Sequence, residues 1–252
     1  MFERAAVIGG GTMGAGIADA LTTSGASVTI VDVDTATTIE DLPVGLDLIV
    51  EAVPEKLELK RSVLARCALR EPLVLATNTS GLSIDGLAAQ LPAPERFLGL
   101  HFFNPVRAMK LVEIVVGART SQATRERALA LCLQLGKTAI VVRDAPGFAS
   151  TRLGIALGLE AMRMVEDGVA APADIDRAME LGYRHPMGPL KLTDLVGLDV
   201  RLDIARNLQR SYGDRYAPPQ LLIDMVAAGT LGKKSGRGFY DWSSGEARPI
   251  ES

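Results

Sequence analysis

From residue 5 to residue 142, short apolar runs alternate with stretches of helical length, and past that point the runs stop. The runs fall at residues 5–8, 28–32, 46–52, 73–77, 97–101, 112–116 and 139–142, and helical patterns lie between them at 13–24, 56–69 and 121–135. Strands that are apolar along their whole length need cover on both faces, and strands alternating with helices pair in parallel. The reading is α/β: a doubly wound parallel sheet. After Asp144-Ala145-Pro146-Gly147 only helical patterns remain, at 148–167, 173–181, 190–212 and 219–228. Pro172 suits a first helical position, and Gly168, Gly182 and Gly229 suit helix exits. An all-helical C-terminal domain is therefore expected, with domains at 1–145 and 146–243 and a polar, frayed tail at 244–252.

Composition bounds the function. Of 252 residues, 48% are hydrophobic and 23% charged, enough apolar matter for a real core. A net charge of −3 leaves no footprint for nucleic acid or an anionic membrane surface. No apolar run reaches the ~18 residues of a membrane span. Met1-Phe2-Glu3-Arg4 leads into a strand without a signal peptide, and the two cysteines, Cys67 and Cys132, sit among apolar neighbours as buried thiols do in a reducing compartment. A cytoplasmic protein is expected. No metal-ligand cluster is read from the sequence.

The first strand runs into Gly9-Gly10-Gly11-Thr12-Met13-Gly14, a G-x-G-x-x-G turn opening a helix. In such a turn Gly9 permits the tight bend, Gly11 lets backbone approach a pyrophosphate, and Gly14 lets helix pack on strand. The helix amides from Thr12 and Met13 onward then face the diphosphate. The same glycines could serve only as a turn. Against that, Asp32 closes the second strand about twenty residues on, where a carboxylate accepts hydrogen bonds from an adenosine ribose and repels a 2′-phosphate. This favours NAD over NADP as cofactor. Asp34 is a neighbouring rival with a structural excuse as a helix-start residue.

Only two histidines exist, His101 and His185. His101 ends a strand, where ligands of such sheets bind. Twelve positions later Glu113 lies inside the next apolar run, a costly place for a carboxylate without a partner. Paired, the two make an acid–base dyad in which the acid fixes the imidazole's tautomer. The alternative is an exposed Glu113 on an edge strand beside a merely packed histidine. Ser80, just past another strand, could bond a substrate oxygen or simply cap a turn.

Taken with their neighbours, these residues resemble the 3-hydroxyacyl-CoA dehydrogenase family, which includes 3-hydroxybutyryl-CoA dehydrogenases. The resemblance rests on residues 9–18 (GGGTMGAGIA), 51–60 (EAVPEKLELK), 77–84 (TNTSGLSI), 99–106 (GLHFFNPV), 109–113 (MKLVE), 144–148 (DAPGF), 186–189 (PMGP) and 232–240 (GKKSGRGFY). It implies a Rossmann-like NAD domain followed by a helical domain that usually dimerises, and hence a homodimer. His101 then matches the catalytic histidine and Glu113 its carboxylate partner. Ser80 and Asn104 match polar groups around substrate and nicotinamide, with Asn78 on the cofactor side. Glu55, Lys60 and Lys234 match positions that contact the cofactor, although by themselves the first two read as a solvated helix face and the third as part of a basic loop.

Two departures from the family stand out. The asparagine that usually follows the PGF motif is Thr151 here, which keeps a hydroxyl and loses the amide's paired donor and acceptor. The long helical hairpin that usually follows the second strand and helps hold CoA has no room: residues 33–45 are close to the minimum of about a dozen for any parallel crossover. The substrate expected is a 3-hydroxyacyl thioester of CoA. A runner-up is a hydroxyacyl group on an acyl carrier protein, with Arg107 reading a second carboxylate as in a hydroxymalonyl-type group. Arg107 could equally be a solvent-facing residue. From another class, the chain could be a non-catalytic NAD-binding structural protein.

Overall fold

The computed structural model describes residues 1–250. The chain divides into two compact units, Met1–Phe148 and a second beginning at Ala149. In the first unit β1 (Arg4–Ile8), α1 (Thr12–Thr23), β2 (Ser27–Val31), β3 (Leu48–Glu51), α2 (Leu57–Ala68), β4 (Val74–Thr77), α3 (Ile84–Ala88), β5 (Phe97–Phe102), β6 (Leu111–Val116), α4 (Gln122–Gln134) and β7 (Thr138–Arg143) build one seven-stranded sheet in the order β2-β1-β3-β4-β5-β6-β7.

Each central strand buries alternate residues on opposite faces, as a two-residue period requires. Val7, Val50, Ala76, Leu100 and Ile114 pack with Ile17 and Leu21 of α1 and Leu131 of α4. Ile8, Ile49, Leu75, Phe97 and Val115 pack with Leu64 of α2 and Leu87 of α3. Both cysteines are free and buried, and burial pushes their thiols up to about 12 at Cys67 and about 11 at Cys132.

The sheet departs from an all-parallel reading at one pair: β6 runs antiparallel to β5, while β7 is again parallel to β6. Only residues 103–110 join β5 to β6, too few for the helical crossover that a parallel neighbour needs.

Between β2 and β3 the chain makes a single 3₁₀ turn, Ile39–Asp41, closed by reciprocal Thr38–Asp41 bonds. The turn is tied down by Arg66 of α2, whose guanidinium grips Glu40 through two bonds and holds that carboxyl down at about 2. No α-helix occupies residues 32–47.

The second unit comprises α5 (Ser150–Glu166), α6 (Pro172–Arg177), α7 (Pro189–Val196), α8 (Leu198–Tyr212), α9 (Gln220–Ala227), β8 (Tyr240–Asp241) and β9 (Arg248–Pro249). The single helix expected over 190–212 is broken at Gly197, whose φ of +103° no L side chain adopts cheaply. Two buried acids order this unit. Asp194 accepts from Phe239 N, Tyr240 N and Trp242 Nε1, and Asp176 accepts from Leu190 N, Lys191 N and Tyr240 Oη. Burial raises both carboxyls above the usual range despite these bonds. The tail is not frayed over its described part, because β9 folds back to pair antiparallel with β8.

Candidate active site

The strand order places β2 on one side of β1 and β3 on the other, so the crevice beyond the carboxyl ends of β1 and β3 is the switch point where such sheets bind ligands. Gly9 turns the chain there with φ +104°, and a Cβ on it would press to 2.8 Å of the Ala52 carbonyl. A Cβ on Gly14 would stand 1.7 Å from the Gly9 carbonyl oxygen, so α1 can approach β1 only without a side chain. Gly11 is different: a Cβ there would meet nothing within 4 Å. It is the N-cap of α1, and no side chain caps that helix. Open space over uncapped helix amides is a cradle for an anion. The residues present therefore fit a dinucleotide, with the diphosphate held by residues 11–14.

Asp32, one step past β2, closes the other end. One carboxylate oxygen accepts from Gly10 N in a very short bond, and the other accepts from Val33 N at 2.6 Å. Gly9, Gly11, Thr12, Met13, Asp32, Glu55, Lys60, Asn78, Ser80, His101 and Asn104 all line one cleft. Asp32→Ala is expected to raise the KM for NADH about tenfold or more, since hydrogen bonds to a charged group carry about 1.5–3 kcal/mol. It is also expected to narrow the preference over NADPH. Steady-state kinetics with both cofactors measures this, and an unchanged NADH/NADPH ratio contradicts the role given to Asp32.

His101 and Glu113 sit directly opposite each other in the antiparallel β5–β6 register. They occupy the sheet face of Phe97 and Val115, since their own neighbours Leu100 and Ile114 point to the other face. His101 Nδ1 lies 2.6 Å from Glu113 Oε2, with the glutamate fully buried and the histidine 7% exposed. Phe103 flanks the imidazole at 4.5 Å between ring centroids and Phe148 at 5.8 Å. Phe148 takes φ +47°, a left-handed conformation that costs free energy in a bulky residue and is held by its burial in the core. With Nδ1 committed to the carboxylate, Nε2 is the nitrogen left for the cleft. Asn78 Oδ1 accepts from Phe102 N and so fixes the end of β5 beside His101.

Glu55 and Lys60 both line the cleft, Glu55 exposed in the loop before α2 and Lys60 buried rather than on a solvated face. Lys60 is 1% exposed, bonded to Glu51 Oε1 at 2.7 Å and to the Val53 carbonyl, with Glu55 Oε2 at 3.4 Å. Glu55 Oε1 accepts from Thr79 Oγ1 at 2.5 Å, Ser80 N at 3.0 Å and Gly81 N at 3.2 Å. Ser80 Oγ is only 3.4 Å from the same oxygen and remains exposed to the cleft.

Of the other candidates, Arg107 falls elsewhere in the first unit, and Thr151 and Lys234 belong to the second. Arg107 is exposed and lines a different cleft with Asp19, Thr23 and Lys137, not the one lined by His101. Residues 105–109 form a tight turn whose carbonyls, at Val106 and Met109, bond Lys137, and this turns Arg107 away. Thr151 lies half-buried in the first turn of α5. Lys234 ion-pairs with Asp199 of the same unit at 2.5 and 2.6 Å. Burial pulls that carboxyl up, the Lys234 ammonium outweighs it, and Asp199 ends below the usual range. Glu51, Thr77 and Thr79 were not singled out from the sequence. Glu51 carried the signal that flagged Glu113, an acid inside an apolar run.

No group of three or more histidine, cysteine or acidic side chains suited to a metal occurs among the described residues, and none of their helices is long and apolar enough to cross a membrane.

Comparison with known proteins bears on both units. A family model described as 3-hydroxyacyl-CoA dehydrogenase, NAD binding domain, matches residues 4–40 and 33–145, and one described as the C-terminal domain of that dehydrogenase matches 147–242. A probable 3-hydroxybutyryl-CoA dehydrogenase of Bacillus subtilis (strain 168) is 46% identical over 199 residues, 78% of this chain and 69% of the relative. A 3-hydroxybutyryl-CoA dehydrogenase of Mycobacterium tuberculosis (strain H37Rv) is 38% identical over 281 aligned positions, covering 95% of this chain and 98% of its own length. That alignment is longer than the 252-residue chain, so the relative carries residues this one lacks. Among solved structures, (S)-3-hydroxybutyryl-CoA dehydrogenase from Ralstonia eutropha superposes with a TM-score of 0.91 at 36% identity, over 96% of this chain and 99% of that one.

Proposed function

Because the chain belongs to the 3-hydroxyacyl-CoA dehydrogenase family of NAD-dependent oxidoreductases, we propose that it interconverts a 3-hydroxyacyl thioester and its 3-oxoacyl counterpart through the His101–Glu113 pair. The observation that carries this reading is a buried carboxylate 2.6 Å from a histidine whose other nitrogen is free for the cleft formed by the glycine turn. NAD, once bound, supplies the hydride acceptor for oxidation and the donor for reduction.

The protein's own groups handle the proton. In oxidation His101 Nε2 removes the proton from the 3-hydroxyl, the O–H pair becomes the second bond of the carbonyl, and the C3–H pair departs as hydride. Glu113 stabilises the imidazolium as it forms and keeps Nδ1 protonated throughout. Ser80 Oγ donates to the reacting oxygen and so opposes its drift from Nε2. Asn104, which lines the same cleft, orients the substrate's polar end. In reduction the imidazolium returns its proton to the carbonyl oxygen. A catalytically retired scaffold has no use for a buried acid–base pair opening on a ligand cleft.

One observation favours a second reading for the carrier. With only a 3₁₀ turn in residues 32–47, a CoA nucleotide has less protein to lie on, and an acyl group delivered by an acyl carrier protein needs less. Self-association through the helical unit is supported by exposed Leu153, Leu157, Leu192, Leu195, Val196 and Val200 on α5, α7 and α8.

The test is NADH oxidation with acetoacetyl-CoA, followed by kcat/KM for one acyl group on CoA, on pantetheine and on carrier protein. Turnover with acetoacetyl-CoA is expected. A large preference for the protein-borne group selects the second reading. NADH binding without turnover of any thioester overturns both and leaves the scaffold.

A further inference from the structure

Glu51 ends β3 and is fully buried, yet it does not line the cofactor cleft. A buried carboxylate is costly unless paired and hydrogen-bonded, and an apolar pair of the same volume commonly serves stability as well. What Glu51 does instead is collect the cleft's walls. Its Oε1 accepts from Val53 N in the β3–α2 loop and from Lys60 Nζ on α2, both at 2.7 Å. Its Oε2 accepts from Thr77 Oγ1 at the end of β4, at 2.6 Å.

The chain of contacts continues outward. An ammonium has three donors. Lys60 gives one to Glu51 and one to the Val53 carbonyl, and Glu55 Oε2 stands 3.4 Å from the nitrogen. Glu55 in turn grips Thr79, Ser80 and Gly81. Negative, positive and negative groups therefore run in line from the sheet interior to the loop that carries Ser80. The outer two members, Lys60 and Glu55, line the cleft, and the innermost fixes where they stand.

We propose that Glu51 is a positioning residue for the cofactor: its buried carboxylate sets the Lys60 ammonium, and through it Glu55 and residues 79–81, in the arrangement that binds the nicotinamide nucleotide. This rests on the NAD-dependent reading above. Because Glu51 acts through Lys60, removing its charge weakens cofactor binding more than it slows the chemistry at His101.

The experiment is a double-mutant cycle of NADH binding, read by fluorescence titration of wild type, Glu51→Gln, Lys60→Met and the double variant, with kcat measured at saturating NADH. Glu51→Gln keeps the volume and one acceptor and removes the charge. It is expected to raise the NADH Kd about tenfold or more, the weight of a charged hydrogen bond. The accompanying fall in kcat is expected to stay below about threefold, the split that marks lost ground-state binding. The double variant is expected to bind NADH no more weakly than Lys60→Met alone, since contacting residues couple. Full additivity, or a wild-type Kd in Glu51→Gln, overturns the proposal. If Glu51→Gln fails to fold because Lys60 is left without its counter-charge, the double variant carries neither charge and its Kd is compared with that of Lys60→Met. Equal values support the proposal and a weaker double variant overturns it. A wild-type protein that does not bind NADH at all overturns the functional reading itself, and this proposal with it.

Discussion

Replacing His101 with alanine is expected to lower kcat by about 10²–10⁴-fold, the contribution of a positioned acid–base group, in both directions of the reaction. The NADH Kd is expected to stay within a few-fold of wild type. The two readouts separate because the glycine turn, Asp32 and the Glu51–Lys60–Glu55 array lie at the ends of β1, β2 and β3 and on the β3–α2 segment, whereas the imidazole is bonded to Glu113 between β5 and β6. His101→Asn, which keeps a polar group opposite Glu113, is expected to lose turnover to a similar degree, so that the loss cannot be ascribed to a damaged core. Stopped-flow single turnovers with NADH and acetoacetyl-CoA give the rate, and a fluorescence titration gives the Kd. Wild-type-like turnover in either variant removes His101 from the mechanism.

The second large effect is expected from Glu113→Gln, which changes one atom. In the proposed mechanism the carboxylate accepts a hydrogen bond from Nδ1–H, so that Nε2 keeps the lone pair that takes a proton from an alcohol. An amide turned to donate to Nδ1 fixes the opposite tautomer, and Nε2 then carries a hydrogen where a lone pair is needed. The stabilising charge beside the imidazolium is lost as well. A fall in kcat on the order of 10³–10⁴-fold is expected, comparable to that seen when a triad carboxylate becomes an amide. Because Glu113 is fully buried, its folding contribution needs a separate check by thermal melting. A Glu113→Gln protein that melts near wild type and turns over within tenfold of it would show the pair to be structural.

Much of the NAD-binding half is legible in the chain because its signals are local. Strands that are apolar along their whole length and a glycine that must take φ +104° are written in consecutive residues. The strand ends come out within a few residues of those read from apolar runs. Direction is not local: the run at 111–116 is equally apolar whichever way it points, and only the eight-residue link before it betrays the antiparallel turn. That same turn of direction brings His101 and Glu113 face to face, so the feature least visible in the pattern makes the contact on which the proposed mechanism rests.

Side-chain burial is harder to read. Lys60 stands on a helix with Glu58 and Arg61, where a solvated face is the natural reading, yet its ammonium is enclosed by Glu51, Val53 and Glu55. Arg107 shows the converse. Its neighbourhood in sequence is the loop after His101, but the turn held by Lys137 sends it to another cleft. Gly197 divides what reads as one helix because a glycine's φ depends on packing that no periodicity records. The short 32–47 crossover, in contrast, is fixed by length alone, and Glu40 and Arg66 fasten the little turn that replaces a helical hairpin.

A hydride passing between the nicotinamide and C3 of an acyl thioester in this cleft leaves an isotopic trace on the product. With NADH deuterated at the transferable C4 position and acetoacetyl-CoA as substrate, the product is expected to be 3-hydroxybutyryl-CoA carrying one deuterium at C3 for each NADH consumed, and the His101→Ala protein is expected to form almost none. Product without deuterium at C3, or deuterated NADH left unconsumed by enzyme that binds it, would contradict the account.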